Sequence, residues 1–101
     1  MNTVLKRGEH YHNTTKAALF GDSPTQQQQK WLDAKKKEPN AIHMVHVGKF
    51  YELFHSDADV FNELFEAPYM RGVIAHTGFP EVALNQFKTL LEEKNFKVIL
   101  I

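Results

Sequence analysis

Two groups of residues in this chain have side chains suited to chemistry: six histidines, and a phenylalanine and a glutamate two positions apart. The histidines are His10, His12, His43, His46, His55 and His76, and the carboxylates nearest them in sequence are Glu9, Asp57 and Asp59. His43 and His46 are three apart on a segment that reads as a strand, so they point to opposite faces and cannot chelate one ion. His10 and His12 alternate, but in a stretch with no second shell to hold them. With no cysteine, no GxSxG, no phosphate-cradling glycine loop and no HExxH, the chain lacks an assembled nucleophile and base. No enzymatic activity, cofactor or metal site is expected, and a small metal-dependent nuclease is the weakest reading.

The phenylalanine and glutamate lie in VGKFYELF, residues 47–54. On a strand that starts just after Gly48, Phe50 and Glu52 project to the same side, and the glycine lets backbone approach a ligand. A protruding phenyl ring can wedge into a base step from the minor groove and stack on the base it disturbs. Unstacking costs a few kcal/mol, least at a mismatched pair, and aromatic stacking returns about 1–3 kcal/mol, so the exchange favours faulty pairing. A carboxylate beside a polyanion makes sense as a selective acceptor for a base edge that faulty pairing leaves reachable, with or without uptake of a proton. Lys49 offsets its charge. On pattern alone the same residues are also met by packing, with Phe50, Leu53 and Phe54 as core and Glu52 as a solvated edge charge.

These positions need elements to hold them. Residues 1–22 show no period and read as an irregular arm, docked through Ala17, Ala18, Leu19 and Phe20. SPTQ at 23–26 reads as a helix start with Ser23 as cap, Pro24 in the first turn and Gln26 at the capping-box position. That helix should run to about Lys37, with Trp31, Leu32, Gln28 and Lys35 inward, and stop at Pro39-Asn40. Ala41 to Val47 reads as a strand and Phe50 to Phe54 as a second, with Phe50, Glu52 and Phe54 on one side and Tyr51 and Leu53 on the other. Ser56 or Asp57 is positioned to cap a helix carrying Ala58, Phe61, Leu64 and Phe65 and ended by Pro68. Val73 to Ala75 is a third candidate strand, and Gly78-Phe79-Pro80 reads as the punctuation before it gives way to a helix with Ala83, Leu84, Phe87, Leu90 and Leu91 on one face. Glu92-Glu93-Lys94-Asn95 closes that helix. Phe96 to Ile101 is almost continuously apolar, the pattern of a strand covered on both faces, and its place at the end of the chain is what a fragment of a longer domain would show. Strands alternating with helices predict an α/β fold, a small mixed sheet flanked by helices and at least partly parallel.

Composition sets wider bounds. With 101 residues, 43% of them apolar, the chain has material for one core without staples. The absence of cysteine fits a reducing, intracellular setting, and no apolar run or signal-type start suggests a membrane. Formal net charge is zero, yet residues 1–50 hold eight Lys/Arg against four Asp/Glu and residues 51–101 the reverse. One half could therefore face phosphates, although Lys35-Lys36-Lys37 is equally a solvated helix end favoured by the helix dipole.

VGKFYELF resembles the Phe-x-Glu mismatch-reading motif of the MutS family, and the resemblance extends over about residues 23–101. SPTQQQQKWLDAKKKEPN is similar to the opening helix of that family's first domain; GKFYELFHSDA, MRG, AHTGFPEVALNQF and NFKVILI follow in the family's order and spacing. The lysine before Phe50 and the AHTGFPE stretch resemble the eukaryotic subunit of the base-mismatch heterodimer that supplies the reading phenylalanine. The resemblance implies a nuclear DNA mismatch-repair module in which Phe50 stacks and Glu52 hydrogen-bonds a base. It further implies Val47 and Lys49 as neighbouring DNA contacts, with Met70 and Arg71 in the position of the family's Met-Lys-Gly. Double-stranded DNA with a mismatch and a second MutS-family subunit are the implied partners. The family's ATPase, clamp, lever and connector regions lie outside the sequence, and its first domain continues beyond the residues matched here, so isolated affinity for DNA is expected to be poor. A contrasting expectation is a protein-interaction or structural remnant that keeps the fold without reading DNA and pairs with another chain through its last strand.

Overall fold

Four glutamines have no apolar stripe of their own, and what starts the first helix is the residue before them. The computed structural model describes residues 24–70 and 75–101, and in it helix α1 spans Gln26–Lys37. Thr25 is its cap: the Thr25 hydroxyl accepts from Gln28 N at 3.1 Å while Gln28 Oε1 accepts from Thr25 N at 2.8 Å. This is a capping box displaced by two residues from the one expected at Ser23 and Gln26, and it leaves Pro24 ahead of the cap. Three lysines in the last turn suit the dipole, and Trp31, Leu32 and Lys35 form the buried stripe, as the spacing predicts; Gln28 stays at the cap and is half-buried. The expected docking of residues 17–20, His10 and His12 lie outside the described residues, as do residues 73 and 74 of the candidate strand at 73–75, whose last residue, Ala75, precedes the strand that begins at His76.

Strand β1 is Ile42–Val47, β2 is Phe50–Phe54, β3 is His76–Pro80 and β4 is Val98–Leu100. They form one sheet in the order β3-β2-β1-β4, antiparallel except for the β1·β4 pair, which is parallel. The mixed α/β sheet is therefore present, with two corrections. The stretch expected to punctuate the chain at Gly78-Phe79-Pro80 is itself strand, because pairing with β2 overrides the weak strand propensity of glycine and the edge position tolerates proline. And β4 is the outer strand, half-buried to exposed rather than covered on both faces; its apolar run lies against β1 alone, among the described residues.

Helix α1 lies on one face of the sheet, where Trp31 and Leu32 pack with Val45 and Phe54. The other face carries the larger cluster, with Ile42, Met44, Leu53 and Phe79 under Ala58 and Phe61 of α2 (His55–Phe65) and Leu91 of α3 (Leu84–Glu93). The larger of these side chains, Ile42, Met44, Leu53, Phe61, Phe79 and Leu91, each contribute about 1.5–3 kcal/mol by leaving water. A short 3-10 turn, Glu81–Ala83, leads from β3 into α3. Helix α3 ends in a Schellman motif: Asn95, at φ +70°, donates to Glu92 O and Phe96 N donates to Leu91 O, so the expected closure at residues 92–95 is realised with Leu91 and Phe96 both buried beside it. No helix among the described residues is long and apolar enough to cross a membrane.

The expected cap role for Asp57 gives way to a different one. β2 runs straight into α2 through His55 at φ +50°, and no side chain caps the helix. Asp57 instead turns inward, fully buried. Its Oδ1 accepts from Lys35 Nζ at 2.8 Å, and its Oδ2 accepts from Trp31 Nε1 and from His43 N, both at 2.9 Å. Lys35 Nζ also donates to Ala41 O at 2.7 Å. One carboxylate thus joins α1, β1 and α2. Burial alone would raise the Asp57 pKa, but the Lys35 charge and the hydrogen bonds from His43 and Lys35 outweigh it and hold the group below its ordinary 3.8.

A carboxyl with a lowered pKa in the fold stabilises it fully above the ordinary value and progressively less as pH falls through the folded value. Asp57→Ala leaves Lys35 charged and unpaired in the interior, so urea melts at pH 7 should show a loss of about 3–5 kcal/mol. The variant should also lack the part of the wild-type stability loss that accompanies acidification below pH 3.8. Equal stability of the two chains at pH 7 would contradict this role.

Candidate nucleic-acid interface

The sheet register decides which side chains meet. Across β1, β2 and β3 one row is Val47, Phe50 and Pro80; the next on that same face is Val45, Glu52 and Gly78. This is the α1 face. Its Phe54 end is sealed by Trp31 and Leu32, whereas Phe50 at the other end is 47% exposed. The alternation expected for β2 is therefore present, and the choice left open by the sequence resolves residue by residue: Leu53 and Phe54 are core, Phe50 is not.

The turn that presents Phe50 is short. Gly48 and Lys49 are the two loop residues between paired Val47 and Phe50, and Gly48 takes φ +63° at the position that a type II′ turn gives to glycine. Lys49 is exposed, and its carbonyl accepts from Glu81 N at 2.8 Å. Glu81 also meets His46 Nε2 at 2.9 Å, and the His46 ring stacks on Tyr51 with centroids 4.7 Å apart. The turn after β3 thus holds the β1·β2 turn from one side, which fixes the start of β2.

Glu52 is largely covered. Its Oε1 lies 3.0 Å from His76 Nε2, and both side chains keep about a fifth to a quarter of their surface, 19% and 24%. The His76 ring stacks on Phe54, centroids 4.7 Å apart and planes 22° apart. Glu52 and His76 are diagonal neighbours, since Glu52 pairs with Gly78 and Phe54 with His76. In the sequence His76 stands only as one of six histidines; its stretch does not read as a strand, and without that register the contact has no signal.

Gly78 explains how the face beside Glu52 is filled. A Cβ there would stand 2.7 Å from Tyr51 O, 3.1 Å from Met70 Cε and 3.4 Å from Glu52 Cγ. Met70, 38% exposed, therefore lies over the glycine beside Glu52. The segment before it is tied down: Met70 N donates to His76 O at 2.6 Å, Thr77 Oγ1 to Pro68 O at 2.8 Å and the Tyr69 hydroxyl to Asp59 Oδ1 at 2.9 Å. Partial burial, with the Asp59 hydrogen bond and the Asp59 and Glu63 charges, pushes the Tyr69 pKa up to about 12, so the phenol stays a neutral donor. Of the sequence-predicted site residues, Phe50, Glu52 and Met70 share one face, Val47 flanks Phe50 in its row and Lys49 stands at the adjoining turn. Arg71 lies outside the described residues. Among the described residues no three His, Cys, Asp or Glu side chains are grouped to hold a metal ion.

The family MutS domain I matches residues 25–101. Curated relatives are similar over the same region. The probable DNA mismatch repair protein Msh6 of Drosophila melanogaster is 42% identical over 80 residues, covering 79% of this chain and 7% of the fly protein. Msh6 of Gallus gallus is 38% identical over 69 residues, with 68% and 5% covered, and Msh6 of Homo sapiens 37% identical over 79 residues, with 78% and 6% covered. The chain thus spans less than a tenth of the length of these relatives.

The two glycines make different demands. Gly78→Ala places a methyl against backbone and should cost about 1–3 kcal/mol in thermal or urea denaturation, with chemical-shift changes at Glu52 and Met70. Gly48→Ala meets nothing within 4 Å and pays only for its positive φ, about 1–2 kcal/mol, without disturbing Glu52.

Proposed function

The chain belongs to the MutS domain I family, and from that premise we propose that it is the mismatch-reading module of a DNA mismatch-repair protein. The relatives named above are DNA mismatch repair proteins, which supports the repair role. The single observation that carries the finer reading is the exposure of Phe50, 47%, at the open end of a face whose other end is core. A phenyl ring held on a strand start with about half its surface in water is available to an incoming ligand, as a ring in the core is not.

In this reading Phe50 enters a base step from the minor groove. A weakly held pair costs less to unstack, and the ring recovers about 1–3 kcal/mol by stacking, so the wedge discriminates by the cost of opening the step. Glu52, two residues on and on the same face, offers a carboxylate to the disturbed base. Lys49 meets the phosphate backbone at the turn, and Val47 and Met70 supply apolar contact along the groove on either side of the ring. Arg71 is a further backbone contact. The longer protein works in the nucleus with a second MutS-family subunit, which supplies the contact area that one wedge and a few cations lack.

The test is an NMR titration of the 101-residue chain at millimolar concentration and low salt, with a short G·T duplex and its fully paired counterpart. Wild type should bind the G·T duplex more tightly, and both affinities should fall as salt rises. Phe50→Ala should abolish the preference while leaving the fold intact, since the ring is half in water. Equal discrimination by Phe50→Ala and wild type would reject the wedge role, and equal binding of both duplexes by wild type would reject the reading altogether.

A further inference from the structure

We infer that His76 is a positioning residue for base reading, holding the Glu52 carboxylate by one oxygen so that the other is presented to the base. The inference rests on the proposed reading role of Glu52. An ionised carboxylate only accepts hydrogen bonds, so a hydrogen bond across the 3.0 Å contact with Oε1 has His76 Nε2–H as its donor. Oε1 is then occupied, and Oε2 is the atom left to address a partner.

What makes His76 an effective clamp is that it is itself held on three sides. Its ring stacks on Phe54 at 4.7 Å, and Phe54 is buried against Trp31, Leu32 and Val45. Its carbonyl accepts from Met70 N at 2.6 Å, and its strand pairs with β2 through Phe54. A long glutamate side chain on an open face has about three torsions free, and each side-chain ordering lost before binding is a cost removed from the bound state. Strand alternation puts Glu52 on the face from which Phe50 protrudes, and the contact fixes its carboxylate there beforehand, on the Phe54 side of Glu52 because His76 pairs with Phe54.

Two roles for the ring can be separated by substitution. His76→Phe keeps an aromatic plate on Phe54 and removes the donor; His76→Gln keeps a donor at similar reach and removes the plate. Folding of each variant is checked by urea melts, and affinity for G·T and fully paired duplexes is measured by the same titration in the wild-type and Glu52→Ala backgrounds. If His76 positions Glu52, His76→Phe loses at least about tenfold of the mismatch preference, as for a hydrogen bond to a charged group, and His76→Gln retains most of it. In the Glu52→Ala background the His76→Phe substitution should change the preference no further. Full preference in His76→Phe, or an undiminished effect of that substitution without Glu52, overturns the inference while leaving the Phe50 wedge standing. A Glu52→Ala chain that discriminates like wild type overturns both the reading role of Glu52 and the positioning role of His76.

Discussion

A single buried carboxylate decides which part of the sheet is covered. Asp57 accepts from Lys35 and Trp31 on α1 and from the backbone of His43 on β1, and it sits in the first turn of α2. Those bonds fix where α1 crosses the sheet: over Phe54 and Val45, leaving the Phe50 end bare. Removing an ion pair from water is expensive, and the exchange is sustained here because both charges find several partners at close range. Such a network sets position more than it adds stability.

The rest of the site follows from alternation and from what flanks it. Phe50 and Glu52 share a face because they are two apart on a strand, and they differ in exposure because the lattice of contacts around them differs. Phe50 has Val47 and Pro80 beside it; Glu52 has His76 on its diagonal and, across from it, a glycine whose missing side chain makes room for Met70. The face is thus graded, from sealed core at Phe54 through a held carboxylate at Glu52 to an open ring at Phe50. A rigid ring on a short turn loses little freedom when it is covered, which suits insertion into a base step.

Much of this was legible in the residues. The β2 boundaries, the face shared by Phe50 and Glu52, the buried stripe of α1 and the closure of α3 all follow from local periodicity and cap chemistry. What escaped depended on partners far along the chain. β3 contains a glycine and ends on proline, so local propensity argues against it, and only its pairing with β2 makes it a strand. With β3 unread, neither the His76 contact to Glu52 nor the place of Met70 over Gly78 had a signal. Asp57 looked like a cap because caps are local, whereas its bonds to Lys35 and Trp31 span 22 and 26 residues. β4 looked central because apolar content marks two covered faces on average, while here it is the outer strand of the described sheet.

The central claim is that the Phe50 ring occupies a poorly paired base step. Intermolecular nuclear Overhauser contacts between the Phe50 ring protons and the protons of a G·T-containing duplex address it most directly. The account predicts contacts to the mismatched bases and their stacked neighbours, and none to the same step when it is fully paired. A complex in which the duplex lies against other residues, with the Phe50 ring still in water, would contradict it.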